Sequence, residues 1–312
     1  MLIKWIFLPV LLFLTFFRCF GQSSNTEKHH NKIDGITTSF EIENLLKSLN
    51  KEYGYFKTND SLKFADNACQ KLSDSLKVKF YTKVDFDNNN YTDLLVIGEW
   101  EGYNHSILCI LDSGENNFFV KSLTRRSFQD CTFPVVLTKD NKALINYFGF
   151  KEHNWPINDT VQTIESKKLI YKFGDFVEYN DSVVNDYNIQ EIKFETTECF
   201  GTCPIFSLII NSDRSTTYEA IKYNVLDGKF TSKVDRKSYS ELIALLNYIN
   251  FPNLCNSYRV NWTDDQSCTL KIIYSNGGTK IIKDYGLIGT YGLERVYNML
   301  FNLRNTQKWS KV

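Results

Sequence analysis

One short stretch of the chain concentrates hard oxygen donors at regular spacing: Asp85-Phe86-Asp87-Asn88-Asn89-Asn90-Tyr91-Thr92-Asp93-Leu94. Asp85, Asp87, Asn89 and Asp93 stand at positions 1, 3, 5 and 9 of it, and Tyr91 offers a backbone carbonyl at position 7. Calcium takes roughly six to eight oxygen ligands at about 2.3–2.6 Å, and alternate side chains on a tight loop can converge on such a point. A calcium loop set between two helices would carry Gly at position 6 and a bidentate Glu at position 12. Here those positions are Asn90 and Val96. Asn tolerates the left-handed backbone, and Val96 suits a following strand. The implied metal set is Asp85, Asp87, Asn89, Tyr91 and Asp93, with a structural Ca²⁺ as cofactor. The competing reading is an Asn/Asp-rich hairpin turn.

Other chemistry is thin. The four histidines are His29, His30, His105 and His153. None lies in the C-terminal third, so a Ser-His-Asp or Cys-His mechanism housed there is excluded. Their spacing matches no zinc pattern. Asp264-Asp265 are adjacent, and adjacent side chains on extended backbone point opposite ways. Gly286-x-x-Gly289-x-x-Gly292 lacks the phosphate-loop spacing. No catalytic residue and no cofactor-binding residue other than the metal set is assigned. Cys199 and Cys203 are four apart, the wrong spacing for a CxxC redox pair. A structural disulfide is the reading, and Gly201 permits the tight turn that it needs.

The compartment follows from the first residues. Lys4 precedes an apolar run, Trp5 to Phe17, of 13 residues, too short for a comfortable membrane span, and Cys19-Phe20-Gly21 offers small residues at −3 and −1. Residues 1–21 therefore read as a signal peptide. The protein is expected to be exported, to periplasm, cell surface or medium, with no membrane span after cleavage. Removing Lys4 and Arg18 from 36 basic and 36 acidic residues leaves a net charge of about −2. That balance gives no footprint for nucleic acid. An oxidising compartment favours cysteine pairing. Seven cysteines remain after cleavage of Cys19, so at least one is left over; the pairing of Cys69, Cys109, Cys131, Cys255 and Cys268 is not readable.

The elements that must position these residues are mostly strands. Residues 22–38 read as a flexible leader. Phe40–Tyr53 has helical spacing with Ser39 as N-cap, and Ser61–Leu76 is a weaker helix. Lys77–Val84, Thr92–Trp100, Ser106–Asp112, Phe118–Leu123, Phe133–Thr138, Ala143–Phe150 and Lys168–Tyr179 read as strands of an antiparallel meander. This places the acidic loop in a hairpin. Polar Asn180–Asp186 marks a boundary. Beyond it, strands near Asn188–Thr196, Pro204–Asn211, Arg214–Lys222 and Lys229–Val234 lead to a helix over Ser238–Ile249. Cys268–Tyr274 and Thr279–Asp284 flank the hairpin signal Asn276-Gly277-Gly278, and a helix over Leu293–Leu303 closes the unit. The expected fold is α+β and β-rich: an antiparallel β domain over 39–183, then a smaller β-β-β-α-β-β-α domain over 187–304.

Thr197-Glu198-Cys199-Phe200-Gly201-Thr202-Cys203-Pro204-Ile205-Phe206 resembles the signature of the DUF6438 family, a domain of unknown function common in exported proteins of Bacteroidota. Phe206 stands where the family pattern has Tyr. Phe251, Leu254 and Tyr258, with Gly277-Gly278-Thr279-Lys280-Ile281-Ile282, are similar to its later elements. The resemblance covers roughly Tyr187–Leu303 and implies a fold boundary and no activity. The Asp85–Asp93 loop in turn resembles the calcium loops of FG-GAP and related extracellular β-repeats. Together these point to an exported non-catalytic binding or structural module with an envelope or extracellular ligand. The alternative is a hydrolase acting on envelope or environmental polymers.

Overall fold

The computed structural model describes residues 28–60, 62–100, 105–125, 131–150, 163–260, 262–275 and 277–312. The signal-peptide reading of 1–21 lies outside these residues.

The described chain is α+β and forms three sheets, filled in chain order. The first holds β1 (Phe56–Thr58), β2 (Tyr81–Val84), β3 (Asp93–Trp100), β4 (His105–Asp112) and β5 (Phe118–Ser122). β1 and β2 pair end to end along one edge of β3. Gly98 is required there: a Cβ would sit 2.3 Å from the Lys57 carbonyl and 2.4 Å from the Phe56 ring. β3 and β4 are apolar on both faces, as strands covered from both sides must be. Leu94, Val96, Leu108 and Ile110 pack on helices α1 (Lys32–Gly35) and α2 (Ser39–Leu49) through Ile33, Ile42 and Leu46. Leu95, Ile97, Ile107 and Leu111 face the second sheet. That sheet comprises β6 (Thr132–Lys139), β7 (Lys142–Phe150), β8 (Ile164–Lys172) and β9 (Asp175–Glu178). Helix α3 (Asn67–Ser75) carries Cys69, which is bonded to Cys131 just before β6.

The third sheet has eight strands in the order β14-β16-β15-β10-β11-β12-β13-β17. They are β10 (Ile189–Thr196), β11 (Ile205–Asn211), β12 (Ser215–Lys222), β13 (Gly228–Lys233), β14 (Ser257–Arg259), β15 (Ser267–Tyr274), β16 (Gly278–Tyr285) and β17 (Ser310–Lys311). All neighbours are antiparallel except β14 with β16. One face is covered by α4 (Arg236–Tyr248) and α5 (Tyr291–Thr306) through Leu245, Leu246, Val296 and Leu300. The same core takes in Leu144, Ile170 and Val177 of the second sheet. Helix α5 is therefore buried between two sheets. Among the described residues no helix is long and apolar enough to cross a membrane.

The structure corrects several sequence expectations. Of the leader expected to be flexible over 22–38, the described residues, 28–38, are ordered: Ile33 is fully buried, Asn31 caps α1 and Thr38, not Ser39, caps α2. The helix expected over 61–76 shortens to α3, and Tyr53 lies in a 3-10 turn after α2. The strand expected from Lys77 begins at Tyr81, because Lys77 is left-handed (φ 51) and the Val78 N–H bonds back to the Ser73 carbonyl. Lys168–Tyr179 is a hairpin rather than one strand, turned at Phe173 and Gly174 with φ 57 and 73. The four strands expected before α4 are all present, one more than the order β-β-β-α-β-β-α counts, and β14 adds a short strand before β15.

Candidate metal centre

The loop between β2 and β3 is closed by the pair Val84↔Asp93, so its two ends enter side by side. Asn88 and Asn90 adopt left-handed backbone with φ 58 and 70, a conformation that Asn accepts more readily than most residues. These two reversals fold the loop back on itself. The Asp85 carboxylate accepts from the Asn89 N–H at 3.1 Å and the Asn90 N–H at 2.8 Å. Asp87 accepts from the Asn89 N–H at 3.3 Å. Asp93 is fully buried; its oxygens accept from the Phe86 N–H at 2.7 Å and the Asp112 N–H at 2.9 Å.

The result is a carboxylate trio: one oxygen each from Asp85, Asp87 and Asp93 lies within 4.8 Å of the other two. Oxygens that share one calcium at about 2.3–2.6 Å can be no more than about 5 Å apart, so the spacing fits that ion. The electrostatics agree. Burial first, then the charges of Asp87 and Asp85, push Asp93 up to about 7 against its two backbone hydrogen bonds. Burial and the charge of Asp85 push Asp87 up to about 6. Three acids this close need a proton or a cation between them.

Of the residues expected in the site, the structure brings together the carboxylates of Asp85, Asp87 and Asp93, and Asn89 and Tyr91 stand in the same loop. Asn89 braces the loop: its Oδ1 accepts from the Tyr91 N–H at 2.8 Å, and its Nδ2 donates to Asp87 Oδ2 at 3.1 Å and to the Asp112 carbonyl at 2.6 Å. The Tyr91 ring stacks on His29, centroids 4.8 Å apart.

A second layer was not found from the sequence. Asp112, fully buried, accepts from the Gly114 N–H at 2.9 Å, the Asn116 N–H at 3.2 Å and Asn31 Nδ2 at 2.9 Å. Asn31 Nδ2 also donates to the Thr92 carbonyl, and the His29 N–H donates to the Asn90 carbonyl. Asp34 accepts from the Thr92 hydroxyl at 2.7 Å. Burial alone would raise the Asp34 carboxyl, but the Thr92 and Asn31 hydrogen bonds and nearby Lys28 hold it down at about 2. The signal for it in the sequence is Asp112-Ser113-Gly114, a turn-type cluster between two strands.

Several residues of the C-terminal motifs have structural roles. Cys199 and Cys203 are bonded, with Gly201 at φ 151 between them. Phe206 is buried between Phe194, Tyr218 and Phe301, a cluster in which a tyrosine hydroxyl would need a partner. Buried Lys280 donates to the Pro252 and Leu254 carbonyls, tying the Phe251–Leu254 turn to β16. Asp264-Asp265 sit in an exposed loop, and Gly289 and Gly292 donate their N–H groups to Asp284 and Glu178.

The family model of DUF6438, a domain of unknown function, matches residues 190–304. No curated protein and no solved structure matches the chain.

Proposed function

We propose that this chain, whose C-terminal unit is a DUF6438 domain, is an exported, non-catalytic binding module of the cell envelope or its surroundings, whose N-terminal sheets are stabilised by one Ca²⁺ in the Asp85–Asp93 loop. The observation that carries the calcium reading is the convergence of the three carboxylates within 4.8 Å. Their backbone hydrogen bonds hold these oxygens in place as acceptors. Export is supported by the apolar N-terminal run and by two disulfides, Cys69–Cys131 and Cys199–Cys203. Three carboxylates without a bidentate Glu suit weak binding, on the order of 10⁻⁴ to 10⁻³ M. The role is structural: the ion cancels repulsion among the acids and fixes the β2–β3 hairpin against β4.

The test is a melting curve in excess calcium and in chelator. At calcium ten times such a Kd the folded state gains roughly 1.4 kcal/mol. Asp87→Ala should abolish the difference. A wild type that melts identically in both conditions would make the loop a polar turn.

A further inference from the structure

Exposed apolar side chains cluster at one end of the third sheet. Thr196 pairs with Cys268, Ser267 with Tyr285 and Ile205 with Lys222. The β10–β11 loop, the segment before β15 and the β12–β13 turn therefore share that end. All three display apolar side chains to water: Phe200 is 88 % exposed, Val225 92 % and Trp262 41 %, with Tyr223 also exposed.

The display is held rigid. The Cys199–Cys203 disulfide closes a ring of five residues with Phe200 at its tip. The Phe200 N–H donates to the Asp264 carbonyl at 3.0 Å, where Asp264 takes a left-handed φ of 77. Buried Gln266 donates to both the Thr197 and the Pro204 carbonyls at 2.8 Å, and the Ser267 N–H donates to Thr197 Oγ1 at 3.1 Å. Trp262 Nε1 donates to Asp265 Oδ2, which fixes the indole beside that carboxylate. On the other flank, Asn224 Nδ2 bonds the Ile205 carbonyl at 2.7 Å. A disulfide and a strained residue are thus used to hold aromatic rings out in solvent. Folding gains nothing from the exposure of the rings themselves. Binding does, because a pre-ordered aromatic anchor loses little entropy on contact.

Charge selects the partner. Residues 197–203 and 262–266 carry Glu198, Asp264 and Asp265 and no basic side chain; the β12–β13 turn adds Asp227, and Lys222 before it lies over the Tyr223 ring, Nζ 4.8 Å from the centroid. Acidic groups beside exposed aromatic faces repel an anionic bilayer and suit a cationic side chain, which gains from the ring face and from the carboxylate together. We infer that this rim is a docking surface for a protein segment bearing exposed arginine or lysine, with Phe200 and Trp262 as anchors and Glu198, Asp264 and Asp265 as charge partners. It gives the binding module of the previous subsection its partner class, and it does not depend on the calcium loop.

The experiment uses the mature protein and a labelled peptide of alternating arginine and glycine, with a glutamate–glycine peptide and phosphatidylcholine vesicles as companion probes. The arginine peptide should bind, more weakly as salt rises. Binding should fall at least about tenfold in Phe200→Ala/Trp262→Ala, the scale of losing a hot-spot contact, and also in Asp264→Asn/Asp265→Asn. The remote acid pair Glu115→Gln/Asp140→Asn should bind as wild type. Melting curves on each variant confirm folding, and Trp262→Phe, which keeps a ring face, should retain most of the affinity. Equal binding by wild type and the double aromatic variant overturns the inference, as does a preference for the vesicles or the acidic peptide. Repeating the titration in chelator separates the two readings: a failed calcium loop leaves peptide binding intact.

Discussion

Removing calcium should give this protein a pH dependence opposite to that of a protein held by salt bridges. Asp93 has an ordinary carboxylate value of 3.8, but burial and the charges of Asp87 and Asp85 raise it to about 7 in the folded chain. Between these values the folded state holds a proton that the unfolded state has released. Stability is therefore greatest at low pH, falls as pH rises from about 4, and levels off above the folded value. At about 1.36 kcal/mol per tenfold change in proton activity, the span from 3.8 to about 7 corresponds to about 4 kcal/mol for this fully buried side chain. Asp87, raised to about 6, adds a change of the same sign. On the proposed reading calcium takes the place of that proton, so its presence should flatten the profile. Asp284 and Glu294 are also raised by burial but lie outside the loop. The quantity to read is thus the difference between two profiles. Urea unfolding at pH 5, 6, 7 and 8 in chelator should show a fall of several kcal/mol, and the same series in excess calcium a clearly shallower one. Asp87→Asn removes one charge beside Asp93 and should shrink the slope in chelator. A chelated protein whose stability is flat or rises over this range, or two profiles that coincide, would refute the reasoning.

Three further outcomes are expected. Glu178→Ala should cost roughly 2–4 kcal/mol in urea unfolding, because its carboxylate accepts from the α5 amides of Tyr291 at 2.7 Å and Gly292 at 2.9 Å and complements that helix's N-terminus; a change below about 0.5 kcal/mol would show that α5 does not rely on β9. Replacing both Cys69 and Cys131 by Ser should cost about 4 kcal/mol on the chain-entropy account for a separation of 62 residues, whereas the separation of 4 at Cys199–Cys203 gives only about 2 kcal/mol; the two double variants should rank in that order by denaturant midpoint. Lys280→Met should cost about 1–3 kcal/mol by leaving the Pro252 and Leu254 carbonyls without their donor, read as a drop in melting temperature.

The sequence alone determined the local features. Period-2 alternation located β10 to β12 and β15 to within a residue or two, because each buries one face and wets the other. The spacing of Asp85, Asp87 and Asp93 was legible because the three acids lie on one short hairpin, where chain connectivity itself brings them close. The tight Cys199–Cys203 ring was legible for the same reason. What failed was everything decided by a partner distant in the chain. Phe173 in the left-handed region could not be read from a residue type that rarely goes there, so one strand was expected where a hairpin stands. Cys69 finds Cys131 across 62 residues. Asn31 and Asp112, 81 apart, meet behind the acidic loop, and Glu178 reaches α5 across 113 residues. Such contacts are set by how the three sheets stack, and stacking depends on the summed burial of many side chains rather than on any local pattern. The sequence therefore names three acids on one hairpin, while only the tertiary structure buries Asp93 among them.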